Sequence, residues 1–144
     1  MYFLVYVSQA RRPMDKAELE AILAPSRAAN TRLGITGLLV YRYSPDTDSG
    51  HFIQMLEGER SAVRTLYDKI VRDPRHHTKI VLGEGEMPSR MFGDWSMGFK
   101  NVDDTLFATL PGYARLGAVS FDPGEFQNSN HSALELLKFF YEAP

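Results

Sequence analysis

Two helical stripes alternate with short strand-like runs along the chain, and that order constrains the fold more than any other property of the sequence. Residues 2–8 are few, aromatic and β-branched, the composition of a strand. Asp15 and Glu18 have the spacing of a helix capping box, and Leu19, Ile22 and Leu23 then fall on one helical face. A helix is therefore expected over residues 16–32. Pro25 inside it deletes a backbone donor and crowds the preceding turn, so a kink is expected there. Gly34 ends the helix, residues 35–43 read as a second strand, and residues 44–50 form a polar turn before a returning strand over 51–56. Val63, Leu66, Tyr67 and Ile70 make the stripe of a second helix over 59–73, closed by Pro74. Residues 79–86 and 95–100 supply strands four and five.

The resulting order, β-α-β-β-α-β-β, is that of an α+β, ferredoxin-like split βαβ with an extra strand. Residues 1–100 make its core, and 101–144 read as a helical extension of the same structural domain. In that extension Asp103 and Asp104 precede a short helix over 105–110. Ser132 and Glu135 form another capping box before the apolar face of Leu134, Leu137 and Tyr141. Ferredoxin-like folds carry both main helices on one side of the sheet. The strands here are apolar on both faces, so the C-terminal helices are expected to cover the second face or to meet a partner there.

Composition excludes several classes of function. The chain has 144 residues, 44% of them hydrophobic, which suits one globular domain rather than a disordered segment. A net charge of −2 without a basic stripe argues against nucleic acid as the direct partner. The N-terminal apolar run is too short for a membrane span and lacks the basic lead of a signal peptide, so a soluble, cytoplasmic protein is expected. Cysteine is absent, and with it disulfides, thiolate metal sites and a cysteine nucleophile. The adjacent His76 and His77 point apart and chelate poorly, so no metal site is expected. No phosphate loop or nucleophile elbow is present.

What remains is a set of polar residues on core strands. Strand alternation places Tyr2, Leu4, Tyr6 and Ser8 on one face, and likewise Phe52, Gln54 and Leu56. A glutamine at the centre of an apolar strand must have its amide satisfied, at a penalty of about 1–3 kcal/mol otherwise. It is either a structural hydrogen bond, to backbone or to Tyr6, or a polar handle in a ligand pocket. Asn30 is open in the same way, as a helix cap or a ligand contact. Trp95 and Met97 share a face of strand five, where ordinary core packing accounts for both.

Five elements taken in order carry a resemblance. They are Tyr6-Val-Ser8, then Asn30-Thr-Arg-Leu-Gly-Ile-Thr-Gly37, Phe52-Ile-Gln54-Met-Leu-Glu-Gly58, Arg72-Asp-Pro-Arg-His76 and Trp95-Ser-Met97. With these the chain resembles a BLUF domain, a sensor of blue light using FAD, of the short stand-alone type. The resemblance implies a non-enzymatic photoreceptor holding FAD, with FMN or riboflavin as substitutes, between the two main helices. It implies that Tyr6 donates an electron and a proton to the excited flavin and recovers them. Gln54, between Tyr6 and the flavin, would rotate or change tautomer. Asn30 would hold the polar edge of the ring, and Ser26, Lys69, Asp73, Arg75 and His76 stand where further cofactor contacts occur. Ser8 belongs to the switch region. Trp95 and Met97 would pass the change to strand five, and so to a downstream signalling protein or a homo-oligomer interface. Departures from the family pattern are Ala29 in place of a polar residue, a long hairpin loop at 44–50, and Pro25. Two other readings are an acylphosphatase-like hydrolase, which lacks a phosphate loop with its arginine, and a cofactor-free interaction module. Retention of Tyr6, Asn30 and Gln54 speaks against the latter.

Overall fold

The structure, a computed structural model, describes residues 1–45, 48–93 and 96–102. Its elements are β1 (Tyr2–Ala10), α1 (Lys16–Leu33), β2 (Thr36–Ser44), β3 (Ser49–Gly58), α2 (Arg60–Val71), β4 (His76–Glu86) and β5 (Gly98–Val102). The strands form a five-stranded sheet in the order β4-β1-β3-β2-β5. β3 runs antiparallel to both β1 and β2, which makes those two parallel with β3 inserted between them, the split βαβ of a ferredoxin-like fold. β4 pairs antiparallel with β1, and β5 adds a parallel strand beside β2.

α1 begins and ends on its caps. Asp15 Oδ1 accepts the Glu18 N–H at 2.9 Å. Gly34, with φ of 69°, takes the left-handed conformation that a residue with a Cβ rarely adopts, and its N–H closes on the Asn30 carbonyl. Pro25 does not end the helix: α1 is one element from Lys16 to Leu33, with the proline on its exposed side.

The core lies between the helices and one face of the sheet. Leu19 and Leu23 of α1 and Val63 of α2 pack with Tyr2, Leu4, Tyr6, Leu39, Phe52 and Leu56. Val5, Val7, Val40, Ile53 and Met55, which alternate with these along the strands, are buried as well, so both faces of the sheet are withdrawn from water. A fully buried aliphatic side chain contributes about 1.5–3 kcal/mol, which makes this two-faced burial the main stabilisation. The helices expected over 105–110 and 132–141 lie outside the described residues.

Several strand boundaries differ from the sequence reading, because main-chain pairing rather than the apolar run decides where a strand begins and ends. The β2–β3 ladder continues to Ser44 opposite Ser49, so Ser44, Ser49 and Gly50 of the expected polar loop are paired strand. Asp48, at φ 47°, helps reverse the chain, and its carboxylate accepts the Tyr43 hydroxyl at 2.6 Å. β4 begins at His76 rather than residue 79, because His76 pairs with Ala10. β5 begins at Gly98 rather than residue 95, since its pairing with β2 starts with Gly98 opposite Leu38. Met97 therefore sits on the lead-in to β5, and Trp95 lies outside the described residues.

Candidate functional site

Tyr6, Gln54 and Leu39 form one row across β1, β3 and β2. Within that row the Tyr6 hydroxyl donates to Gln54 Oε1 at 2.5 Å. The amide nitrogen on the other side, Gln54 Nε2, donates to Met97 Sδ at 3.3 Å. Both ends of the buried amide are thus engaged, which removes the penalty that a central glutamine would otherwise carry.

Above the row a cleft opens to solvent between the sheet and the two helices. Its floor is Tyr6, Leu39, Phe52, Gln54 and Met97. One wall is the α1 face bearing Ile22, Leu23, Ser26 and Asn30. The other is Leu66 and Ile70 of α2, followed by Asp73, Arg75 and His76. Apolar walls with a few convergent polar groups are the make-up of a small-molecule or cofactor site.

Asn30 provides the test of fit. It is buried, and its Nδ2 donates to the Ser96 carbonyl at 2.8 Å. Its Oδ1 is buried with no donor. An amide oxygen left so costs about 1–3 kcal/mol unless a ligand N–H reaches it. The pyrimidine edge of a flavin carries such an N–H, so the residues present fit a flavin ring.

Burial governs the electrostatics of the cleft. It raises the Tyr6 pKa far above that of a free phenol, with Tyr67 and Asp73 adding to the effect, so the hydroxyl stays a donor. The rings of Tyr6 and Tyr67 stand 5.4 Å apart. Burial lowers the His76 pKa, which favours the neutral ring. Its Nε2 lies 2.7 Å from the Ile70 carbonyl, which can only accept, so Nε2 carries the hydrogen. Nδ1 then accepts from Ser8 Oγ at 2.6 Å. Asp73 is held below the ordinary carboxylate range by Arg75, whose Nε and Nη2 reach its two oxygens at 3.0 and 2.5 Å.

Of the residues singled out in the sequence, the cleft brings together Tyr6, Ser26, Asn30, Gln54, Asp73, Arg75, His76 and Met97. Ser26 Oγ donates to the Ile22 carbonyl at 2.7 Å, which leaves it an acceptor toward the cleft. Ser8 is not part of the lining but meets His76 Nδ1 behind it. Lys69 is exposed in the last turn of α2 and is not part of the lining. The sequence reading did not assign the apolar walls to the site, although Ile22, Leu23, Leu66 and Ile70 were the very positions that defined the helical stripes. It also missed Arg27, an exposed residue whose Nε donates to the Met97 carbonyl at 2.9 Å. Nothing local distinguishes that arginine from a solvated one.

Among the described residues no helix is long and apolar enough to cross a membrane. No cluster of three or more His, Cys, Asp or Glu able to hold a metal occurs among them either.

Known proteins share this architecture. Residues 1–98 match the family model for sensors of blue light using FAD. The photoactivated adenylate cyclase subunit beta of Euglena longa is 35% identical over 109 residues, 75% of this chain but 12% of that protein. This chain thus spans a small part of the curated relatives it matches. Among solved structures, the BLUF protein BlrB in its dark state is 36% identical with a TM-score of 0.65, over 83% of this chain and 85% of that one. BlsA in its photo-activated state is 27% identical with a TM-score of 0.70, over 99% and 96%. A family model spanning β1 to β4 and both helices of the cleft leads to one conclusion: the chain belongs to the BLUF family, the sensors of blue light using FAD.

Proposed function

We propose that this chain binds FAD non-covalently in the cleft and signals by a light-driven rearrangement of the hydrogen bonds among Tyr6, Gln54 and Met97. The observation that carries the reading is the engagement of Gln54, whose amide oxygen and nitrogen face a phenol donor and a thioether acceptor. When bound, the flavin supplies the blue absorption and an excited state that accepts an electron. FMN and riboflavin share its ring and substitute for it.

Tyr6 holds a proton at Oη and points it at Gln54 Oε1. Giving up and recovering an electron and that proton releases the amide, which then rotates or changes tautomer. An amide carries a donor at one end and an acceptor at the other, so reversal exchanges the whole pattern without moving the backbone. Reversed, Nε2 faces the Tyr6 hydroxyl while Oε1 confronts the Met97 sulfur, also an acceptor. The Met97 contact is lost, and the lead-in to β5 carries the change onward. Asn30 holds the polar edge of the ring. Ser26, Asp73, Arg75 and His76 contact the rest of the cofactor, with Lys69 at the rim and Ser8 keeping His76 in its tautomer. Trp95 shares the relay with Met97.

No residue here has a catalytic assignment, and the chain is a sensor. Residues 101–144 extend the core as its output surface, toward a downstream signalling protein or a second copy of the chain. A cysteine-free chain gains nothing from an oxidising compartment, and we place it in the cytoplasm.

Absorption spectroscopy of the purified holoprotein tests the reading. Blue light should shift the flavin band to the red, with recovery in the dark. Tyr6→Phe and Gln54→Leu should each retain flavin and lose the normal shifted state. A full photocycle in both variants would refute the switch, and a protein that takes up no flavin would refute the site.

A further inference from the structure

Glu57 is fully buried (0% exposed), more deeply than Tyr6, Gln54 or Met97, yet the switch does not use it. Among the described residues its carboxylate meets only groups that donate to it. Oε1 accepts from the Thr36 hydroxyl at 2.8 Å and from the Phe92 N–H at 2.7 Å. Oε2 accepts from the Met91 N–H at 2.8 Å. Arg90 closes the arrangement: its Nη1 donates to Thr36 Oγ1 at 2.8 Å and to the Glu57 carbonyl at 3.2 Å. Its Nη2 donates to the carbonyl of Gly34, the residue that ends α1, at 2.7 Å. One carboxylate, with a guanidinium one hydroxyl away, thus ties the end of β3, the start of β2, the end of α1 and residues 90–92.

An apolar pair would join the same elements without the desolvation penalty of a buried charge. It would not orient the backbone. A carboxylate that accepts two successive N–H groups sets both the position and the direction of the chain at Met91 and Phe92. That segment leads to the residues that read the switch. Further along, α1 holds the Ser96 carbonyl through Asn30 and the Met97 carbonyl through Arg27, and Met97 Sδ meets Gln54. Gln54 and Glu57 lie on the same strand, so β3 holds Met97 through one side chain and Met91 and Phe92 through the other.

We propose that Glu57 is the positioning residue of the switch: by fixing Met91 and Phe92 it sets the reach of the connector, brings the Met97 thioether onto the Gln54 amide, and so biases which arrangement of Gln54 prevails in the dark. The proposal rests on the light-switch reading above, but part of it is testable in the dark.

The test uses flavin-loaded protein with methionine methyls labelled with carbon-13, comparing wild type with Glu57→Gln. The substitution preserves shape but sets an amide NH₂ against a main-chain N–H, Met91's or Phe92's, that can only donate. Flavin should bind as in wild type, and the Met97 methyl resonance should move or split in the dark while that of Met14, just before the N-terminus of α1, stays in place. Dark recovery should change by about threefold or more, and in a Met97→Leu background the same substitution should have little further effect, as for residues that act through one another. An unmoved Met97 methyl, or an equal change in recovery in both backgrounds, would overturn the proposal. If Glu57→Gln does not fold, Thr36→Val and Arg90→Lys are read by the same two measurements. A wild-type protein that holds flavin but shows no photocycle refutes the light reading alone, because the methyl measurement is made without illumination.

Discussion

Asn30 does two things that no neighbouring side chain could do in its place: its nitrogen anchors the Ser96 carbonyl while its oxygen lies unpaired in the cleft. Asn30→Ala should therefore weaken flavin binding by about fivefold to tenfold, the worth of roughly 1 kcal/mol in one hydrogen bond, measured by titration of flavin fluorescence. Unchanged affinity would place the ring edge elsewhere. His76 offers a test by pH. Burial lowers its pKa below 6.5, the value of an exposed histidine. The unfolded chain therefore takes up a proton first as pH falls. Stability is full above that value and declines on acidification from about 6.5 toward the lower folded pKa. Asp73, whose pKa is lowered from 3.8, contributes stability that is lost only further down, as pH falls below that value through its folded pKa. Urea midpoints should thus fall between pH 7.5 and 5.5 in wild type and fall less in His76→Gln. Equal slopes would show that the histidine is not the titrating group.

At the scale of elements, the close approach of β2 and β3 depends on Gly37. A Cβ there would lie 2.0 Å from the Met55 carbonyl oxygen and 3.4 Å from the Met97 methyl. The first of these contacts is with main chain and cannot rotate away. Gly37→Ala should cost about 1–3 kcal/mol in urea unfolding and disturb the Met97 contact as well. Removing the α1 cap with Asp15→Ala should cost only about 1 kcal/mol and leave the flavin spectrum unaltered, because the cap is on the exposed side of the helix start. A similar loss in both variants would mean that the strand approach is not as tight as the geometry requires. These elements also show how far local reading reaches. The α1 caps were legible because Asp15, Glu18 and Gly34 act on backbone groups within a few residues. The β5 boundary was not, because Ser96 and Met97 give their carbonyls to side chains of α1 instead of to the β2 ladder.

For the whole molecule, a ligand that fills the cleft between α1 and α2 and binds only the folded state stabilises it by mass action. At a free flavin concentration a hundred times Kd the gain is about 2.7 kcal/mol, seen as a rise in Tm by differential scanning. FAD, FMN and riboflavin should all raise Tm if the shared ring makes the principal contacts. A Tm that none of them moves would contradict the cleft as a flavin site.

By itself the sequence determined the element order, the helix caps, the apolar faces and a glutamine that needed partners, because each depends on periodicity or on groups close together along the chain. Its motifs also sufficed to mark the family. Only the tertiary structure decided that Gln54 donates to Met97 across 43 positions, that Asn30 leaves its oxygen free in the cleft, and that Glu57 gathers the β4–β5 connector. Those contacts join residues that no local pattern relates. They exist because packing both faces of the sheet brings distant segments together and leaves their buried polar atoms to be paired there.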